Sequence, residues 1–184
     1  TPTRHIEGSI GMGKIKQSFC YPLYHGEQSL DELVGSAAEI GYAAIELWGR
    51  SGAPFDDICE LAEKHGIGVA SMCGHDSLPD GLNVRSNHGR IQEELHESID
   101  IDAERSIPGL ICFSGNRNGL SDEEGIEICA EGLDKVKGYA EEKGITLNIE
   151  LLNSKVDHAD YQCDNTPWGV QLCEAVGSPR VKLL

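Results

Sequence analysis

The chain has 184 residues, with 15 Lys+Arg against 31 Asp+Glu, and a formal charge of −16. At 39 % hydrophobic and 25 % charged residues the composition is globular, not disordered. So acidic a chain lacks the basic face that phosphate binding needs, and no run approaches the ~18 apolar residues of a membrane span, so neither nucleic acid nor a membrane is expected as a partner.

Residues 1–13 read as a lead-in to a single domain covering 1–184. Within and just past it, Gly8-Ser-Ile-Gly-Met-Gly-Lys14 approaches the phosphate-loop pattern GxxxxGK[ST]. Ile15 stands where the magnesium-binding hydroxyl belongs and no strand precedes the loop, so nucleotide binding is set aside. The first apolar run, Ile15–Tyr21, predicts a strand. Ser29 then caps a helix with Leu30, Leu33, Val34 and Ala37 on its apolar side, Glu32 at the capping-box position and Gly41 as its stop. Ala43–Trp48 predicts the second strand, and a helix over about Asp56–His65 stops at Gly66. Ile67–Cys73 is the third strand, followed by a helix over about Asn87–Arg105 with Ile91, Leu95 and Ile99 in a row. After a fourth strand at Gly109–Ser114, Ser121 opens a helix with Asp122, Glu123 and Glu124 in its first turn. Its inward row is Ile126, Cys129, Leu133, Val136 and Ala140, and Gly144 closes it. Ile145–Leu152 is the fifth strand, a helix near Pro167–Val176 ends at Gly177, and Val181–Leu184 begins a sixth strand.

Short apolar runs rich in β-branched residues, alternating with amphipathic stretches, predict an α/β fold with a parallel sheet. The sheet is either doubly wound or closed as a (β/α)8 TIM barrel. On the barrel reading this chain holds about the first six strands of a polypeptide of roughly 250 residues.

Seven cysteines without a CxxC pair predict free thiols packed as small hydrophobes. That favours a reducing, cytoplasmic compartment, with a processed periplasmic chain as the alternative. Self-association into a homo-oligomer is left open.

Glu150, at the C-terminal end of the fifth strand, is the leading candidate for chemistry. A carboxylate at that end of a parallel sheet suits a divalent metal or proton abstraction beside a carbonyl. Pairing with a neighbouring Lys or Arg is the structural alternative. Asn153, Lys155 and His158 follow in the next loop as candidate substrate contacts. His75, just past the third strand, is either a substrate contact or a histidine held by Asp76. Glu46, Asn116 and Arg117 are further rim candidates, while His5, His25, His65, His88 and His96 read as surface groups.

Ile149-Glu-Leu-Leu-Asn-Ser-Lys155, Asp157-His-Ala-Asp-Tyr161, Trp168-Gly-Val and Val176-Gly-Ser-Pro-Arg-Val-Lys-Leu-Leu184 carry a resemblance. Lys14-Ile-Lys-Gln-Ser18 and Ile40-Gly-Tyr-Ala-Ala-Ile-Glu-Leu47 extend it toward the start. The chain resembles hydroxypyruvate isomerase-like members of the xylose isomerase-like TIM-barrel superfamily. The resemblance implies that Glu150 binds a divalent metal, Mn, Mg or Co, and takes part in proton transfer. It implies that the other ligands belong to the sixth, seventh and eighth strands, beyond Leu184. The implied reaction interconverts a small hydroxy-aldehyde and hydroxy-ketone through an enediolate. A ketose 3-epimerase and a non-catalytic carbohydrate-binding barrel are the alternatives. A DNA-repair endonuclease of the same superfamily is set aside by the charge.

Overall fold

In a computed structural model that describes residues 15–26 and 28–184, six parallel strands alternate with six helices. The lead-in 1–13, the loop Gly8–Lys14 and His5 lie outside the described residues. The strands are β1 (Ser18–Cys20), β2 (Ala44–Glu46), β3 (Gly68–Cys73), β4 (Gly109–Cys112), β5 (Thr146–Ile149) and β6 (Val181–Leu183). Each pairs in parallel with the next, so the sheet order is the sequence order. A doubly wound sheet reverses its strand order at a switch point, whereas a barrel keeps winding in one direction. The sequential order is that of a barrel, and it decides between the two architectures the alternation had left open. None of the described helices is long and apolar enough to cross a membrane.

The helices are α1 (Leu30–Ile40), α2 (Phe55–His65), α3 (His88–Arg105), α4 (Asp122–Asp134), α5 (Lys137–Lys143) and α6 (Thr166–Val176). Both expected capping boxes form: Ser29 with Glu32 opens α1, and Ser121 with Glu124 opens α4. Left-handed glycines at 41, 66, 144 and 177 close α1, α2, α5 and α6, where a Cβ would be strained. The strands are one to several residues shorter at their ends than the apolar runs that mark them.

Two expectations are corrected. The single helix expected from Ser121 to Gly144 is two, because Lys135 and Val136 form a tight turn with i→i−3 hydrogen bonds to Gly132 and Leu133. The apolar row survives the break, with Cys129, Leu133, Val136 and Ala140 all buried. His88 is not a surface group: it is 3 % exposed, with Nε2 2.7 Å from the Leu82 carbonyl oxygen.

The main core lies between sheet and helices. Ile45, Met72, Leu110, Leu147 and Ile149 meet Val34, Ile58, Leu95, Ile99 and Leu133 there, all buried. Side chains alternate across a strand, so the residues between these strand positions face the other side of the sheet. That side holds the candidate site.

Candidate functional site

The C-terminal ends of the strands open into a cavity of about 740 Å³. Cys20 of β1, Glu46 of β2, Cys73 of β3, Ile111 of β4 and Glu150, one residue past β5, line it. Alternation explains the placement: Ile45 and Ile149 are buried against the helices, so Glu46 and Glu150 next to them are presented to the cavity. A register shift between Ile45 and Glu46 sets Glu46 opposite Ser71.

Glu150 is half-buried, and its backbone is pinned on both sides. Its N–H donates to the Cys112 carbonyl at 3.0 Å, and its carbonyl accepts from the Tyr161 hydroxyl at 3.3 Å. Tyr161 is fully buried and its hydroxyl oxygen also accepts from the Ser114 N–H at 3.0 Å, so one phenol ties the ends of β4 and β5 together. Burial pushes the Glu150 carboxyl above its ordinary range; His158 opposes this and Glu46 adds to it. The alternative of an ion pair is not met, since no Lys or Arg bridges to Glu150 among the described residues. A carboxylate that is costly to keep ionised is a stronger base than one in water.

Around it the sequence-derived candidates divide. Glu46 and His158 line the same cavity, Glu46 accepting a hydrogen bond from the Ser18 hydroxyl. His75 lines it too, but its ring is committed elsewhere. The Phe113 N–H donates to Nε2 at 3.0 Å, the Ser77 N–H faces Nδ1 at 3.3 Å, and burial lowers the ring's pKa to about 4. A neutral imidazole has one bare nitrogen, and the shorter contact assigns it to Nε2. His75 therefore fastens the end of β3 to β4; Asp76 does not hold it. Asn153 and Lys155 lie in a neighbouring depression of about 470 Å³ that meets the cavity at Leu152 and also includes Asp164, and the Asn153 side chain accepts from the Lys155 N–H. Asn116 lines neither space. It bridges to Tyr161 through its backbone, and its carbonyl accepts from the Asn83 amide at 2.7 Å. Arg117 is paired with Asp122 and Asp164 instead of facing the mouth.

Tyr161, Cys73 and Trp48 belong to the site without being singled out in the sequence. Strand parity relative to Glu46 and Glu150 was the signal available for Cys73. For Tyr161, in a loop 11 residues past Glu150, the signal was its place in the Asp157–Tyr161 run that carries the resemblance. Burial raises the Cys20 thiol and pushes Cys73 up to about 12, so both are protonated and neither is a ready nucleophile. Among the described residues no group of three His, Cys, Asp or Glu converges to hold a metal ion. Glu150 can offer one oxygen ligand to such an ion, and the described residues alone do not complete a centre.

Comparison with solved structures places the fold. AP endonuclease family 2 from Brucella melitensis superposes with a TM-score of 0.71 at 18 % identity, over 92 % of this chain and 67 % of that one. D-allulose 3-epimerase from Methylomonas sp. gives 0.68 at 19 % identity, over 92 % and 61 %. The IolI protein, solved with a bound zinc atom, gives 0.70 at 16 %, over 92 % and 62 %. The chain thus spans about two-thirds of the length of these neighbours. A curated alanine–tRNA ligase from Methylococcus capsulatus is 24 % identical over 139 residues, 74 % of this chain but 15 % of that enzyme, and such a partial match transfers no activity. The family model of the xylose isomerase-like TIM barrel matches residues 34–184, and this chain belongs to that family.

Proposed function

We propose that the protein interconverts a neutral hydroxy-ketone and its isomer or epimer by moving a proton beside the carbonyl, with Glu150 as the base. The observation that carries this is a half-buried carboxylate, its pKa raised by burial, without a Lys or Arg counter-ion among the described residues, lining the same cavity as a second carboxylate, Glu46. Glu150 takes the C–H proton and a carboxyl returns a proton to the enediolate. Return to the neighbouring carbon, with the hydroxyl proton passing between the two oxygens, gives isomerisation, and return to the same carbon from the opposite face gives epimerisation. Glu46, which accepts a hydrogen bond from Ser18, is the carboxylate we assign to the latter. The D-allulose 3-epimerase neighbour supports this chemistry on this fold. A divalent ion, which the zinc-bound neighbour makes reasonable, would polarise the substrate oxygens with Glu150 as one ligand.

Charge favours a neutral ketose over hydroxypyruvate. Among the described residues Glu46, Asp76 and Glu150 line the cavity and no Lys or Arg does. Two like charges about 6 Å apart at an effective dielectric of 20 repel by about 3 kcal/mol, a penalty that a substrate carboxylate would meet more than once. The endonuclease neighbour shares the fold, but a chain of charge −16 is poorly suited to DNA.

Glu150→Gln tests the reading. It should lower kcat on a responsive ketose by about 10²–10⁴-fold while ligand binding, read from Trp48 fluorescence, persists. Turnover at the unmutated rate overturns the role of Glu150. Binding without turnover in the unmutated protein would instead favour a carbohydrate-binding barrel.

A further inference from the structure

Beside the cavity that holds Glu150 lies a second one, a groove of about 400 Å³ between the β2–α2 connection and the middle of α3. The two share Cys73, His75 and Asp76, so they are contiguous across the end of β3. The β2–α2 connection forms a wall of both: Trp48 lines the inner cavity and Arg50 the outer groove. Because His75 is locked to backbone on β4, this partition is a fixed feature of the fold.

The two compartments differ in chemistry. Apart from its carboxylates, the inner cavity is largely apolar, walled by Leu47, Leu78, Phe113 and Leu152. The outer groove is lined by hydrogen-bonding side chains: Arg50, Ser51, Asp76, Glu94, Glu97 and Ser98. Much of their capacity is unused. Among the described residues Arg50 donates one bond, from Nη2 to Glu97 at 3.1 Å, out of the five N–H groups of a guanidinium. Glu97 is 65 % exposed and accepts that bond alone among the described residues. Glu94 is paired with Arg90 at 2.8 Å and Glu97 with Arg50, so the groove offers partly compensated charges and Ser51, a surface that hydroxyl groups, which both donate and accept, satisfy. At the boundary stands Trp48, 62 % exposed, an apolar face against which the C–H face of a sugar ring can stack.

Building on the proton-transfer reading of Glu150, we infer that the substrate is two units long: a hydroxy-ketone unit in the inner cavity, joined to a neutral polyhydroxyl unit, such as a glycosyl group, seated in the groove beside Arg50. The groove then fixes the length of the substrate while Glu150 performs the reaction.

The test compares D-fructose with the same ketose glucosylated at O4, using the intact natural polypeptide. The glucosylated ketose should have at least a tenfold higher kcat/KM, and Arg50→Ala should cut that ratio to near one. Arg50 also faces the buried Asp102, so urea unfolding of Arg50→Ala accompanies the kinetics, and Glu97→Gln, at an exposed side chain, provides a second variant that keeps the shape of the groove. Fluorescence gives binding independently, since Trp48 is exposed at the boundary while Trp168 is buried. Equal kcat/KM for the two sugars, or a ratio that neither variant changes, overturns the groove and leaves the role of Glu150 standing. A protein that neither turns over nor binds either sugar overturns both.

Discussion

Asp102 shows what burial does to a single side chain. It sits on α3 with 0 % exposure, and neither carboxyl oxygen has a hydrogen-bond partner among the described residues. Burial pushes its pKa up to about 8, with Arg50 only partly offsetting the shift. Folding therefore takes up a proton at neutral pH, because the unfolded carboxyl ionises near 3.8. The folded state is not penalised below about pH 4, loses stability as pH rises from about 4 to 8, and carries the full penalty above that. Asp102→Asn cannot titrate, so the stability difference between variant and wild type should grow in favour of the variant from pH 5 to pH 8, with a slope approaching about 1.4 kcal/mol per pH unit. Urea unfolding at several pH values measures this, and parallel curves would show that Asp102 is not protonated in the fold. At this same scale the site was partly legible in the sequence. Glu150 and Glu46 could be read from their place at strand ends, and His158 from its loop. His75 and Asn116 could not be resolved, because whether a polar residue faces a ligand or its own backbone depends on the distant partners that folding brings to it.

The elements were legible wherever a local rule acts. Ser29, Ser121 and the glycines after α1, α2, α5 and α6 satisfy backbone groups at helix ends through neighbours a few residues away, so they could be read without tertiary contacts. The break between α4 and α5 was hidden because Val136 keeps its place in the apolar row on both sides of the turn. The end of α3 departs from the glycine rule: Ser106 takes the left-handed position at φ 59 and ψ 31, and is exposed. An L-residue pays about 1–2 kcal/mol in that region, while glycine adds flexibility to the unfolded chain. Ser106→Gly should therefore stabilise the protein by about 0.5–1 kcal/mol, seen as a higher denaturation midpoint with unchanged slope. A lower midpoint would mean that the serine side chain makes a contact the glycine loses.

Across the whole molecule, the alternating pattern specified the layers but not the closure, because a local period cannot say in which direction the next strand is added. Sequential parallel pairing gives that direction, and it brings side chains from β1, β2 and β3 to the same cavity as Glu150. The same winding concentrates charge: a chain of −16 presents Glu46, Asp76 and Glu150 at one opening. Such a field repels an anionic substrate over distances that salt shortens, with a Debye length of about 10 Å at 0.1 M and about 30 Å at 0.01 M. A neutral ketose does not feel it to first order. If the substrate is neutral, kcat/KM should stay within about twofold between 0.01 M and 0.3 M NaCl, while hydroxypyruvate, should it react at all, should gain several-fold as the field is screened. The measurement needs only initial rates with both compounds across a salt series. A strong rise with salt for the better substrate would identify it as an anion and overturn the neutral-substrate reading, leaving the barrel and the position of Glu150 as they are.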